Sequence, residues 1–283
     1  MKKILITGAT GFLGRRTAEY FAKRNEVFSP SHAELDITSD ESVKKYLSDK
    51  KPDAVINCAG MSDIKSCSDS PAYSWKMNFS GCLNLAAETE KLGIRMISCS
   101  TDQVYSGSFV SEPHRETETV FPTSLYAWEK VSAEKECMKV NSDCVFLRLA
   151  WMYDIQTLCE TEHSDFARTF LSALHSGKEL KYPVNDCRGI TYVYDVIRNL
   201  EKALYLDGGV YNFGSPNNRN TYETVLEIMN RLYPEKAKPL ADTDSFSDHK
   251  RNLTMDQEKL NSCGIVFPDT VERLTEVLSK TRI

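Results

Sequence analysis

The sequence lacks the features that would hold a metal, a nucleic acid or a lipid surface. Its nine cysteines, among them Cys58, Cys67, Cys82, Cys99 and Cys144, form no C-x-x-C pair and no metal-ligand spacing. They read as reduced, mostly buried thiols, and no metal site is expected. Positive charge is scarce too: 35 Lys and Arg against 40 Asp and Glu leave a formal net charge of −5, so no broad basic field exists to hold nucleic acid or an anionic membrane. Lys44-Lys45 and Lys50-Lys51 lie in a mixed-charge, helix-like stretch and read as a solvated face. The opening Met-Lys-Lys leads straight into Ile4-Leu5-Ile6, an apolar run too short for a signal peptide or a membrane span. The expected compartment is the cytosol. There is no internal repeat and no low-complexity segment.

What is present is enough apolar material for a large fold. The 283 residues, 41% of them hydrophobic, suffice for one large α/β domain or a nucleotide-binding domain with a smaller partner. In the first half, short apolar runs alternate with amphipathic stretches, which predicts repeated βαβ units and a doubly wound parallel sheet of the Rossmann kind. Strands are expected at Ile4–Thr7, Glu26–Phe28, Ala54–Asn57, Arg95–Ser98 and Cys144–Leu149, with a short strand or turn at Leu35–Ile37. Helices are expected at residues 11–24, at Ser42–Leu47 behind the capping candidates Ser39 and Asp40, at Ala72–Leu92 and at Tyr126–Val140.

Beyond Trp151 the rhythm loosens. A polar loop is expected at Ile155–Ser164, with His163 a surface histidine, then helices at Phe166–Leu174, Val193–Leu204, Tyr222–Leu232 and Val271–Ser279, and a strand at Val210–Phe213. The expected organisation is a dinucleotide-binding domain over residues 1–153 and a smaller, mixed substrate lobe over 154–283, with about 185–205 returning to the first domain.

Thr7-Gly8-Ala9-Thr10-Gly11-Phe12-Leu13-Gly14-Arg15 follows the first expected strand and opens a helix. The first glycine permits a tight turn, the second lets backbone N–H groups approach a pyrophosphate, and the third lets helix and strand pack closely. The segment after the second strand, Val27-Phe28-Ser29-Pro30-Ser31-His32, carries no acidic residue for a ribose 2′-hydroxyl. Arg15 and Arg16 are placed to face a 2′-phosphate or, equally, solvent, so the cofactor is NADP or NAD with a lean towards NADP. Asp36, next to Ile37, is placed to meet the adenine amine, and Cys58-Ala59-Gly60 ends a strand where the cofactor should lie.

Tyr126 and Lys130 are four apart and share one helix face. A free phenol has a pKa of about 10, and a nearby ammonium lowers it, which makes Tyr126 a candidate proton donor during hydride transfer. Thr101, in Ser100-Thr101-Asp102-Gln103, leaves a strand at the same sheet edge and can hydrogen-bond a substrate oxygen; a plain turn cap is the competing reading.

Taken together, the glycine turn, Asn57-Cys58-Ala59-Gly60, Asn78, Ser100-Thr101-Asp102 and Tyr126/Lys130 resemble the extended short-chain dehydrogenase/reductases. Leu35-Asp36-Ile37-Thr38, Arg148-Leu149-Ala150-Trp151-Met152-Tyr153, Phe166-Ala167-Arg168-Thr169 and Val184-Asn185-Asp186 narrow the likeness to the dTDP-4-dehydrorhamnose reductases. The resemblance implies a catalytic set of Thr101, Tyr126 and Lys130, with Lys130 also holding the nicotinamide ribose. It further implies support from Asn78, substrate contacts at Asp102 and Trp151, a sugar-nucleotide substrate and a homodimer. The chain departs from that pattern at Ile64-Lys65-Ser66-Cys67-Ser68, where the reductases carry an acidic and basic cluster, so the substrate's nucleotide is left open. It also has Asp102-Gln103 where related dehydratases place Asp-Glu, and a neutral amide cannot act as their base. An epimerase that retains NAD, and a non-catalytic dinucleotide-binding subunit like the β subunit of methionine adenosyltransferase, stay as alternatives.

Overall fold

The computed structural model describes residues 1–156 and 165–281, so most of the loop expected at Ile155–Ser164, His163 included, lies outside the described residues. The described chain divides into two units: one of Met1–Val104, Pro122–Arg148 and Ile197–Tyr211, and a second of the remaining segments.

The first unit runs β1 (Lys3–Thr7), α1 (Phe12–Phe21), β2 (Glu26–Phe28), α2 (Asp40–Lys50), β3 (Ala54–Asn57), α3 (Ile64–Asp69), α4 (Pro71–Trp75), α5 (Gly81–Leu92), β4 (Arg95–Thr101), α6 (Leu125–Val140) and β5 (Val145–Leu149). With the strand Gly209–Phe213 these form a six-stranded sheet in which β5, β4, β3, β1 and β2 follow that strand in order. β1 pairs parallel with both β2 and β3, and β3 with β4. The chain steps one way from β1 to β2 and then the other way to β3, β4 and β5. That reversal opens a crevice at the carboxyl ends of β1 and β3, where doubly wound sheets take ligands.

Strand alternation explains why both faces are covered. Leu5, Val55, Met96 and Phe146 point to one side and share a core with Val43 and Leu47 of α2, Leu85 and Ala86 of α5, and Ala133 and Cys137 of α6. Their neighbours Ile4, Ile6, Ile56, Ile97, Val145 and Leu147 are equally buried, so these strands read as near-continuous apolar runs rather than alternating ones. Leu35–Ile37 forms a turn and not a strand. The short α3 was not expected; Asp63 caps it by accepting from the Ser66 N–H at 2.8 Å.

The expected helix over Ala72–Leu92 is interrupted by a π-helical turn at Lys76–Ser80. Such turns often mark functional positions because the extra residue re-aims a side chain. Here the re-aimed residue is the buried Asn78.

The second unit is built from short pairs instead of one sheet. Trp151–Tyr153 pairs with Ile190–Tyr192, Asp186–Arg188 with Arg251–Leu253, and Lys181–Pro183 with Leu240–Asp242. Its core gathers Tyr153, Phe166, Phe170, Ile190, Val225, Ile228 and Leu274. No helix among the described residues is long and apolar enough to cross a membrane.

Candidate active site

The glycine turn forms a cradle. Gly8 sits at φ +66°, and a Cβ there would lie 2.6 Å from Ala59 N and 2.7 Å from Cys58 O, so the position accepts only glycine without displacement. A Cβ on Gly14 would collide with Gly8 O. These contacts hold α1 against the ends of β1 and β3. Gly11 caps α1 from an extended conformation with no side-chain hydrogen bond, leaving the first-turn N–H groups for a ligand. The adjoining cavity, about 220 Å³, is lined by residues of the turn, by Pro30, Ser31 and His32, by Leu35 and Ile37, and by Cys58, Ala59, Gly60 and Met77. An anion cradle beside an apolar slot fits the pyrophosphate and adenosine of a dinucleotide.

Not every expected cofactor residue faces this cavity. Asp36 Oδ1 accepts from Thr38 N at 2.9 Å and Thr38 Oγ1 at 2.8 Å, closing its own turn, while its neighbours Leu35 and Ile37 line the slot. Arg15 is half-buried and reaches Thr10 O at 3.4 Å. Arg16 is not an exposed helix arginine: it is wholly buried, its guanidinium 4.3 Å from the Phe12 ring centre and donating to Phe12 O at 2.9 Å. Leu13 is buried in the core beside it. Beyond the segment after β2, Glu34, which is not in the cavity lining, folds back and accepts from Ser31 N and Ser31 Oγ, both at 2.8 Å.

The reactive residues converge at the ends of β4 and α6. Thr101, Asp102, Tyr126 and Lys130 are all buried. Thr101 Oγ1 accepts from Gln103 N at 3.2 Å, so it does cap its turn, yet it also lies near enough to the Tyr126 hydroxyl to favour its ionisation. Lys130 Nζ donates to Cys99 O at 3.0 Å and lies 5.9 Å from the Tyr126 ring centre. A Cβ on Gly60 would stand 3.3 Å from that Nζ, which puts the ammonium at the cavity's edge. The net shift is opposite to the depression expected from Lys130: burial pushes Tyr126 well above the usual tyrosine value, with Thr101 opposing it and Asp102 adding to it. Desolvation wins.

What fixes α6 is a set of buried charges. Glu134 takes the Arg148 guanidinium on both oxygens, Oε2 from Nη2 at 2.6 Å and Oε1 from Nε at 3.1 Å, and also accepts from Ser100 Oγ. One helical turn on from Lys130, this clamps α6 to β4 and β5. Glu129 is fully buried, its Oε2 accepting from Ser74 Oγ and Asn78 Nδ2, each at 2.7 Å. Asn78 in turn holds both Met61 N, at 2.9 Å, and Met61 O, at 3.0 Å. The π-helical turn thus ties α6 to the strand-end segment around Gly60.

Trp151 lies in the second unit, 37% exposed, with the Arg188 guanidinium 4.8 Å from its ring. Among the described residues no group of histidine, cysteine and carboxylate side chains could hold a metal.

The family model described as RmlD substrate binding domain matches residues 1–283. The chain belongs to that family. A dTDP-4-dehydrorhamnose reductase of Aggregatibacter actinomycetemcomitans is 25% identical over 275 residues, covering 93% of this chain and 90% of the relative. The methionine adenosyltransferase 2 subunit beta of Pongo abelii is 25% identical over 282 residues, covering 93% and 83%. Among solved structures, the dTDP-4-dehydrorhamnose reductase of Bacillus anthracis in complex with NADP matches with a TM-score of 0.86 at 20% identity over 100% of both chains. That last likeness is one of fold.

Sequence reading passed over Glu129, Ser74, Glu134 and Glu34, while the Pro30–His32 segment it placed by the ribose does line the cavity. One signal was available for Glu129 and Glu134. α6 exposes Trp128 and buries Glu129, Lys130 and Glu134, an inversion of ordinary amphipathic order that a helix adopts only when its charges have partners.

Proposed function

We propose that this family member is an NAD(P)H-dependent reductase that converts a keto group on a nucleotide-linked sugar to an alcohol. The observation that carries the reading is the buried Thr101–Tyr126 hydroxyl pair at the sheet edge, with Lys130 at the margin of the dinucleotide cradle. Backbone N–H groups of the turn at Gly8–Gly14 hold the pyrophosphate, and Lys130 the ribose next to the nicotinamide. The bound dinucleotide supplies the hydride.

Every other task falls to the chain's own residues. Thr101 Oγ1 donates to the substrate oxygen and holds it against Tyr126. The raised pKa keeps the Tyr126 hydroxyl protonated at neutral pH, the state a proton donor needs. Asp102 and Trp151 are assigned to the substrate. The relatives named dTDP-4-dehydrorhamnose reductase act on a dTDP-linked keto sugar, and the altered segment now seen as α3 is where this chain's substrate would differ.

Oxidation of NADPH and NADH, followed in parallel against a panel of nucleotide-linked keto sugars, tests the reading; one keto sugar should support turnover. Cofactor that stays bound through purification, with turnover needing none added, would point instead to the epimerase. No turnover on any keto sugar, together with a stable co-purifying protein, would favour the regulatory subunit, which the β-subunit relative keeps in view.

A further inference from the structure

Two thiols take no part in the proposed chemistry: Cys58, in the lining of the dinucleotide cavity, and Cys99 beside it. Cys58 follows β3 directly and Cys99 lies in β4. Because Asn57 is in register with Ser98, the two cysteines face each other across adjacent strands, Sγ to Sγ 3.9 Å. Both are partly exposed, and Cys58 lines the cavity. Sulfurs at this separation need to close to about 2.05 Å to bond, a movement within reach of side-chain rotation and a small backbone shift at strand ends.

A second pair makes a comparison within the same unit. Cys82 and Cys137 are 3.8 Å apart, but both are buried in the core between α5 and α6, away from the cavity. Proximity is shared by the two pairs; access belongs to one.

We propose that Cys58 and Cys99 are an oxidisable dithiol at the margin of the dinucleotide site, which a peroxide joins as a disulfide that no longer admits the dinucleotide. The second half rests on the dinucleotide reading of the cavity. The Cys58 hydrogen bond and the Lys130 charge lower the Cys99 thiol below its ordinary value against the pull of burial, while Cys58 is raised, so Cys99 is the attacking sulfur. Its thiolate attacks one peroxide oxygen, the O–O bond breaks, and hydroxide leaves a sulfenic acid. Cys58 then attacks that sulfur, the S–O bond breaks, and the Cys58 proton goes out with the oxygen as water. Two thiols lose two electrons and the peroxide becomes two waters.

The consequence for binding follows from what each residue touches. Cys58 O and C lie where a Cβ on Gly8 would be 2.7 Å away, so drawing Cys58 towards β4 disturbs the floor of the cradle. Cys99 O is the acceptor that anchors Lys130 Nζ. A bound dinucleotide, in turn, covers the pair and shields it.

The test uses the full chain, reduced and then treated with hydrogen peroxide with and without NADPH, followed by alkylation, digestion and mass spectrometry of linked peptides. The expected result is a 58–99 linkage two hydrogens lighter, suppressed by NADPH, with Cys82 and Cys137 unlinked. NADPH affinity, read by fluorescence titration, should weaken about tenfold or more on oxidation and return with dithiothreitol. In Cys58→Ser the ratio of affinities before and after peroxide should stay near one. Absence of the 58–99 linkage overturns the proposal whatever the protein binds. Linkage with unchanged NADPH affinity overturns the closing half. If the reduced protein binds neither NADPH nor NADH, the dinucleotide reading falls and takes that half with it, while the linked peptide still decides the first.

Discussion

The two units of this chain solve the same problem, covering short strands, in different ways. The first has six strands in one sheet, built on βαβ crossovers, and a glycine turn that lines a cavity at the strand ends. The second has three two-stranded pairs, Trp151–Tyr153 joining a strand almost forty residues on and Asp186–Arg188 one more than sixty on. Long-range pairing of three-residue strands gives little stability by itself, so the second unit leans on its aromatic core and on side-chain clamps such as Arg273, which holds Asp195 with bonds of 2.6 and 2.7 Å. Where topology fixes the site, the chemistry is readable from motifs.

The comparison breaks most sharply at Tyr126. Tyr126→Phe keeps the ring and removes the hydroxyl, so the proton donor is lost while the fold stays. Turnover on the accepted keto sugar should fall by about 10²–10⁴, with NADPH affinity nearly unchanged by fluorescence titration. A variant that turns over at the parent rate would remove Tyr126 from the reaction. The pH dependence has a definite sign. The protonated form is the active one for reduction, and burial raises its pKa above the ordinary tyrosine value, so the rate should not fall through Tyr126 ionisation until the pH exceeds about 10. A basic limb that titrates near neutrality and disappears in Tyr126→Phe would contradict the burial argument.

Gly8→Ala tests the backbone half of the same unit. The added Cβ meets Ala59 N and the Cys58 carbonyl and must also occupy φ +66°, so the turn has to open. A loss of about 10- to 100-fold in dinucleotide affinity is expected, equal to about 1.4–2.7 kcal/mol, with a lowered melting temperature. Unchanged affinity would mean that the turn does not hold the pyrophosphate.

The elements of the first unit were legible because periodicity and glycine placement report backbone needs. β1, β3, β5 and α6 lie within a residue or so of their expected bounds, and the cradle forms on the expected glycines. The π-helical turn at Lys76–Ser80 was not legible, since Ala72–Leu92 carries an unbroken helical pattern and the turn depends on Asn78 finding Met61 and Glu129 across the fold. The same holds for Arg16, which reads as an exposed helix arginine but is drawn over Phe12 and buried, and for Asp36, whose oxygen goes to Thr38 and not to the slot. The partners of Asn78 lie on other elements and that of Asp36 in its own turn, information that helical spacing does not contain, whereas Arg16 meets Phe12 four residues back on α1. In the second unit, Lys181–Pro183 and Arg251–Leu253 are too short to show a period at all.

Glu129 is a smaller and finer test of how the site is held. Removing its carboxylate in Glu129→Ala leaves the buried Ser74 hydroxyl without its acceptor and one fewer for the Asn78 amide, at a cost of about 1–3 kcal/mol for each group so left. Chemical denaturation should register the loss, and turnover should fall because Asn78 no longer fixes Met61 and the strand end beside Lys130. Glu129→Gln separates charge from geometry. Its amide oxygen can still accept from both partners, and its NH₂ takes the place of Oε1, which has no hydrogen-bond partner in the parent. If Glu129 acts by geometry, Gln should recover most of the stability and turnover; if its charge is required, Gln should be as poor as Ala.

The smallest effect belongs to the second unit. Asn220 opens the helix Thr221–Leu232 with a capping box, its side chain accepting from Glu223 N at 2.8 Å while Glu223 Oε2 accepts from Asn220 N at 3.2 Å. Asn220→Ala removes the first bond and loosens the second, a loss of about 1 kcal/mol, and a chain of this size should melt about 2–4 °C lower. This helix supplies Val225 and Ile228 to the second unit's core, so the loss should be felt there and leave the cradle at Gly8 intact. Thermal melting followed with and without NADPH distinguishes the outcomes. The variant should keep the parent's increment in melting temperature on adding cofactor; a reduced increment would show that this helix contributes to cofactor binding.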